Sequence, residues 1–231
     1  SLSGDGTIVA IGSPLNNSGA GYTRIYARSN NVWTQIHNNI VGDVSGNCGW
    51  SVSLNSNGTI VVIGAPNYAT QTGRVRIYKN TGATWSLLET YDGAAGDKQG
   101  YSVSLNDSGT MMVYGSISNH GNGSYAGRAT IYKNTSGTWN RFGNHVWGIT
   151  TGDTSGWSVS LSGDGQVLVL SSHLNNVASS GAGLARVFKN NSSGFVDSTL
   201  FGTIYGDING DQCGYSVSVS GNGTNIAAGS I

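Results

Sequence analysis

The stretch Trp50-Ser51-Val52-Ser53-Leu54 returns three times, as Tyr101-Ser102-Val103-Ser104-Leu105, Trp157-Ser158-Val159-Ser160-Leu161 and Tyr215-Ser216-Val217-Ser218-Val219. The chain opens on a stub of the same element, Ser1-Leu2-Ser3. Apolar and small polar residues alternate, which is the period of a half-buried β-strand. Marking each copy at Leu2, Leu54, Leu105, Leu161 and Val219 gives steps of 52, 51, 56 and 58 residues. Unequal steps place loops of varying length on a constant frame, and self-similarity at this period marks a repeat architecture.

Working outward from that strand, a, a tight turn follows in every copy: Ser3-Gly4-Asp5-Gly6, Asn55-Ser56-Asn57-Gly58, Asn106-Asp107-Ser108-Gly109, Ser162-Gly163-Asp164-Gly165 and Ser220-Gly221-Asn222-Gly223. Gly, Asn and Asp tolerate the positive φ that hairpins demand. Strand b is a continuous apolar run such as Thr59-Ile60-Val61-Val62-Ile63-Gly64, expected to be covered on both faces. A variable Asn/Gly/Ser loop leads to strand c, for example Arg76-Ile77-Tyr78-Lys79-Asn80. Strand d is marked by Trp33, Trp85, Trp139 and Phe195, and a loop containing Gly-Asp returns to the next strand a. The expected fold is all-β: a β-propeller of four-stranded antiparallel blades, with four complete repeats and half of a fifth. The repeats span about 1–48, 49–99, 100–155 and 156–213, with the partial copy at 214–231. One small sheet cannot bury two apolar faces alone, whereas stacked copies can.

Composition agrees. Of 231 residues, 37 are glycine and two proline, and only 10% are charged, which suits many short strands and tight turns. Net charge is zero, which argues against a nucleic-acid or anionic-membrane partner, since either would need a basic face. No window approaches the length of an apolar membrane span.

The repeat resembles the FG-GAP family, the blades of integrin α-subunit heads and of microbial and viral surface proteins. The "GAP" element is literal at Gly64-Ala65-Pro66, relaxed at Gly12-Ser13-Pro14, Gly115-Ser116-Ile117 and Gly229-Ser230-Ile231, and lost at Ser171-Ser172-His173. The "FG" element is Gly before an aromatic: Gly49-Trp50, Gly100-Tyr101, Gly156-Trp157 and Gly214-Tyr215. The resemblance implies calcium loops in some blades, between strands a and b. Here those turns carry at most one carboxylate, while calcium takes six to eight oxygens, so no cofactor is expected at them.

Carboxylates gather instead in the d–a loops: Asp92 and Asp97, Asp207 and Asp211, with Asp43 and Asp153 at related places. They read either as metal or sugar-hydroxyl ligands, or as Asx turns satisfying the loop's own amides, the favoured reading. A glycosidase needs two carboxylates at unique, facing positions, and acids multiplied by repetition do not supply them. His37, His120, His145 and His173 show no metal-ligand spacing, and no nucleophile elbow or phosphate loop occurs. Cys48 and Cys213 occupy equivalent positions on separated blades, which favours free thiols over a bridge.

The expected function is a non-catalytic extracellular, cell-surface or virion-surface adhesion module that recognises glycan or protein. The alternative is a structural unit of a filament, shell or matrix contacting neighbouring copies, with a glycan-acting hydrolase more distant. With strand a innermost, the long b–c loops (15–21, 66–73, 117–127 and 172–184) share a face with the d–a loops, and no helix is expected. The candidate contacts on that face are Asn67, Tyr68, Asp97, Asn119, His120, Tyr125, His173, Asn175 and Asp211. Eight sequons, at Asn16, Asn57, Asn106, Asn122, Asn134, Asn190, Asn191 and Asn222, would carry glycans in a secreted protein, although an Asn/Ser/Thr-rich chain also makes them by chance. Because the pattern starts inside a strand a and stops after a strand b, the chain is expected to be a segment of a longer one, or to take strands from a neighbour.

Overall fold

The computed structural model describes residues 1–191, 193–196 and 199–231. Asp197 and Ser192, the third residue of the Asn190 sequon, lie outside the described residues. The chain forms successive antiparallel sheets, each complete one a meander in the order a-b-c-d. The first has β1 (Ile8–Ser13) and β2 (Tyr22–Ser29) as strands b and c, with Leu2 bridged to Val9 in place of strand a. Its strand d is broken into β3 (Val32–Gln35) and β4 (Ile40–Val41), both paired to β2. The second runs β5 (Ser51–Leu54), β6 (Ile60–Ala65), β7 (Arg74–Asn80) and β8 (Trp85–Asp92). The third runs β9 (Gln99–Leu105), β10 (Met111–Ser116) and β11 (Arg128–Thr135), with strand d again broken, into β12 (Thr138–Arg141) and β13 (Val146–Trp147). The fourth is β14 (Val159–Leu161), β15 (Val167–Ser172), β16 (Leu184–Lys189) and β17 (Leu200–Tyr205). A two-stranded sheet, β18 (Ser216–Val219) and β19 (Ile226–Gly229), follows.

Among the described residues, four hydrophobic cores lie between these sheets, one per seam. Alternate residues of strand b point to opposite neighbours: in β6, Val61 and Ile63 pack with Ala10 and Ile25 of the first sheet, while Val62 packs with Val103, Met112 and Tyr114 of the third. Met111, Val113 and Ile131 meet Leu168, Leu170 and Phe188, and Val167 and Val169 meet Val217 and Val219. The continuous apolar run of strand b is therefore covered on both faces in the second, third and fourth sheets. The first sheet differs. Among the described residues no sheet covers its other face, so Ile11 is 48% and Trp33 42% exposed, whereas the equivalent Ile63 and Trp85 are 2% and 8%.

The serines of strand a join the sheets on their inner side. The Ser1 hydroxyl accepts the Leu54 N–H, Ser53 that of Leu105, Ser104 that of Leu161 and Ser160 that of Val219, at 3.0–3.1 Å. Each bond satisfies an amide on the free edge of the next sheet, a group costly to bury unpaired. The two recurring glycines form the other half of this seam. A Cβ on Gly64 would overlap the Gly100 carbonyl, and one on Gly115 would overlap that of Gly156, so backbone passes directly against backbone. Gly100 and Gly156 also hold φ of +81° and +92°, which L side chains rarely adopt.

Two expectations need correction. Phe195 does not mark strand d: β17 begins at Leu200. The longer c–d connection drops Phe195, fully buried, into the core shared by the third and fourth sheets. Helix is not wholly absent either, since the 66–73 loop holds a single turn, α1 (Tyr68–Gln71). Its Ala69, Thr70 and Gln71 are left-handed, with φ of 45°, 59° and 69°. Such residues are disfavoured by about 1–2 kcal/mol each, and the turn closes through the Gly73 amide on the Tyr68 carbonyl at 3.2 Å.

Candidate functional site

The d–a loops and the b–c loops lie on one face and are hydrogen-bonded to each other. Each d–a loop bonds the b–c loop of the sheet before it: Cys48 N–H to Ala20 O, Lys98 N–H to Gln71 O, Thr154 N–H to Tyr125 O and Gln212 N–H to Gly181 O. Two of them also grip the b–c loop of the sheet that follows. Asp97 Oδ1 accepts from Asn119 Nδ2 at 2.8 Å, and Asp153 Oδ1 from Asn175 Nδ2 at 2.8 Å. In the first such loop an amide replaces the acid, and Asn67 donates to Asn47. The face is thus braced across sheet boundaries by repeated carboxamide contacts.

The acids face inward. Asp97, 3% exposed, also accepts from the Ala94 amide and pairs with Arg128 at 3.2 Å. Asp153 is fully buried and accepts the Ile149 and Thr150 amides. Asp211 accepts the Asp207 and Ile208 amides in the same way. These are Asx-turn geometries in which loop donors occupy the carboxylate lone pairs. Asp43 differs, pairing with Arg74 and Arg76 at 3.1 and 2.7 Å. Among the described residues, no three His, Cys, Asp or Glu side chains converge as a metal would require. Cys48 and Cys213 are free and buried, and burial pushes the Cys48 thiol up to about 11.

The nine candidate contacts divide. Asp97, Asn119, His173 and Asn175 are buried and serve as the frame of the face, and Asp211 and Asn67 are half-buried within it. Tyr68 covers the Arg74 guanidinium at 3.6 Å. Exposure belongs to His120 and Tyr125, whose rings stack at 4.9 Å at the tip of the 117–127 loop. Of the sequons, Asn106 is 6% exposed, with Oδ1 accepting the Thr110 and Met111 amides inside its turn. Asn16, Asn57, Asn122, Asn191 and Asn222 are exposed, and Asn134 and Asn190 are half-buried.

Sequence reasoning missed an aromatic ladder. The residue after each recurring glycine stacks on its equivalent in the next sheet: Trp50 on Tyr101 at 5.4 Å, Tyr101 on Trp157 at 4.7 Å, and Trp157 on Tyr215 at 5.5 Å. Trp50 and Tyr215 are 42% and 40% exposed. His173 inserts beside it, 4.1 Å from Trp157 and 5.7 Å from Tyr215, with Nδ1 3.1 Å from the Thr154 hydroxyl. Burial pushes His173 down to about 4 and Tyr101 up to about 12. The signal was present as one aromatic per repeat at fixed register. It read as a strand marker because period alone does not reveal that equivalent side chains touch.

No helix is long and apolar enough to cross a membrane. No protein-family model and no curated protein matches the chain. It is similar to a solved structure described as a functionally unknown protein from Desulfotomaculum acetoxidans DSM 771, with a TM-score of 0.65 at 12% identity. The match covers 99% of this chain and 61% of that one, so the chain spans less than two thirds of that protein's length. At this identity the likeness concerns the fold alone.

Proposed function

We propose that the successive sheets are blades of an FG-GAP-like β-propeller, and that the protein is a non-catalytic extracellular or surface module that binds glycan or protein through its loop face. The observation that carries this reading is the bracing of every d–a loop against neighbouring b–c loops, which fixes exposed His120, Tyr125, Trp50 and Tyr215 on one rigid face. Variable loops on a rigid scaffold suit recognition, and aromatic side chains add large contact area at little entropic cost. The acids of that face are occupied by loop amides, asparagines and arginines, which suits binding better than acid–base chemistry. An array of neutral and acidic oligosaccharides, probed with wild type and with His120→Ala and Tyr125→Ala, tests the reading. Selective binding weakened by the loop variants is expected, and absence of binding to glycan and to protein ligands would contradict it.

A second reading, a unit of a filament or shell, is favoured by one observation. Val9, Ile11, Tyr26 and Trp33 line an uncovered face whose equivalents in the second sheet are largely buried. Light scattering at rising concentration separates the two, since ordered growth supports assembly and a concentration-independent mass contradicts it.

A further inference from the structure

The outer half of each seam is closed by different side chains. Between the first and second sheets, Asp43 binds Arg74 and Arg76. Between the second and third, Tyr91 stacks on Tyr132 with centroids 4.1 Å apart. Register identifies the corresponding residues of the next seam. Tyr91 pairs with Val75 of strand c exactly as Val146 pairs with Ala129. Asp43 takes the amide of Gly46 as Thr150 takes that of Asp153. The third seam therefore has valine where the second has tyrosine, and threonine where the first has its ion-paired aspartate. Val146 is small and sunk in the core of this seam, and the Thr150 hydroxyl turns back to donate to Asp153 Oδ1, so a cleft of about 430 Å³ is left between the third and fourth sheets.

Its walls carry Trp147, Ile149 and Tyr205, with Asn122 and Thr203 among the polar lining. Arg186 also lines it; 5% exposed, this side chain donates to the Trp147 carbonyl, so the base is fixed by a buried charged group. Asn122 Nδ2 donates to the Gly148 carbonyl at 2.7 Å, which leaves its Oδ1 as an acceptor. Ile149 and Tyr205 are 44% and 47% exposed. Among the described residues, no carboxylate and no lysine lines the cleft. Aromatic and aliphatic faces with a few hydroxyl and amide groups match a ligand with one C–H face and a rim of hydroxyls, and the volume lies in the range of small-ligand sites.

We propose that this cleft binds a pyranose unit of a glycan, stacked on Trp147 and Tyr205 and hydrogen-bonded by Asn122 and Thr203. The proposal rests on the binding reading above and names its ligand class and seat. The test is the same oligosaccharide array, probed with Trp147→Ala, Tyr205→Ala and Thr203→Val, each variant's melting temperature being measured beside it. Because the Trp147 ring abuts Gly121, exposed Tyr205 is the variant expected to fold normally. A loss of about tenfold or more in Tyr205→Ala, with Tm held, supports the cleft. Full binding in Tyr205→Ala and Trp147→Ala beside a loss in Tyr125→Ala overturns the cleft and leaves the binding reading standing. A wild type that captures immobilised peptides and no oligosaccharide overturns the sugar assignment, and one that binds neither removes both.

Discussion

The inner and outer halves of each sheet-to-sheet seam follow opposite rules. On the inner half nearly the same atoms meet each time: a serine hydroxyl takes the next strand's amide, and at three of the seams glycine passes glycine, with Ser171 facing Gly214 at the fourth. On the outer half the backbone register persists, but the seam is closed by an ion pair, then by a tyrosine stack, and then incompletely. The contrast teaches where the repeat is constrained. Where glycine passes glycine there is no room for a side chain, and one copy alone departs from it, with Ser171, whereas contact between side chain tips can be rebuilt or left open in each copy.

The largest effect should come from filling the inner seam. Gly64→Ala sets a Cβ into the Gly100 carbonyl and the Ser51 hydroxyl, and backbone cannot retreat as a flexible side chain would. A loss of about 3 kcal/mol or more is expected in chemical denaturation. A loss under about 1 kcal/mol would mean the seam is looser than described.

Acid should weaken the loop face beside the aromatic ladder, where His173 packs on Trp157 and Tyr215. Burial lowers His173 from 6.5 to about 4, so the folded protein holds it neutral while the unfolded chain takes up the proton first. The unfolded state binds more protons between those values, so this contribution is fully present above about pH 6.5 and is lost as pH falls toward 4. His145, lowered to about 4 by burial and then by Arg128, acts in the same direction. His145 is only half-buried, so after screening by solvent they should together cost roughly 2–4 kcal/mol across that window, and His173→Gln should remove about half of the slope of Tm against pH. A slope unchanged in that variant would dissociate His173 from the effect.

The outer half should tolerate exchange. Tyr91→Val reproduces the third seam in the second, and should cost about 1–2 kcal/mol through the lost stack on Tyr132. A cost equal to that of Gly64→Ala would erase the distinction between the halves. Smallest is Ser53→Ala, which leaves the Leu105 amide without its acceptor and should lower stability by about 1 kcal/mol.

Much of this organisation was legible in the chain. Trp50-Ser51-Val52-Ser53-Leu54 and its copies located strand a, the Gly/Asn/Asp turns located the a–b hairpins, and the shared face of the b–c and d–a loops followed from strand order. Local periodicity carries this much because alternation and turn chemistry act within a few residues. It cannot tell which neighbour a side chain meets. The serines were read as the polar side of a strand when they bind the next sheet, and Phe195 was aligned with the tryptophans although a longer connection moved it into the core. Of the candidate site, the loops were legible and the individual side chains were not. Asn119 and Asn175 looked like free loop amides, and only the fold brings Asp97 and Asp153 against them. The cleft beside Trp147 depends on what Val146 and Thr150 fail to fill, which requires comparing equivalent seams in space.

The central claim is that the loop face makes the contacts. Chemical-shift mapping of isotope-labelled protein, titrated with the oligosaccharide that binds best on the array, tests it most directly. The account predicts shifts concentrated in residues 117–127 and 147–151 and around Tyr205, with the a–b turns at 55–58, 106–109 and 162–165 unmoved. Shifts centred on those turns, at the opposite ends of the strands, would contradict it.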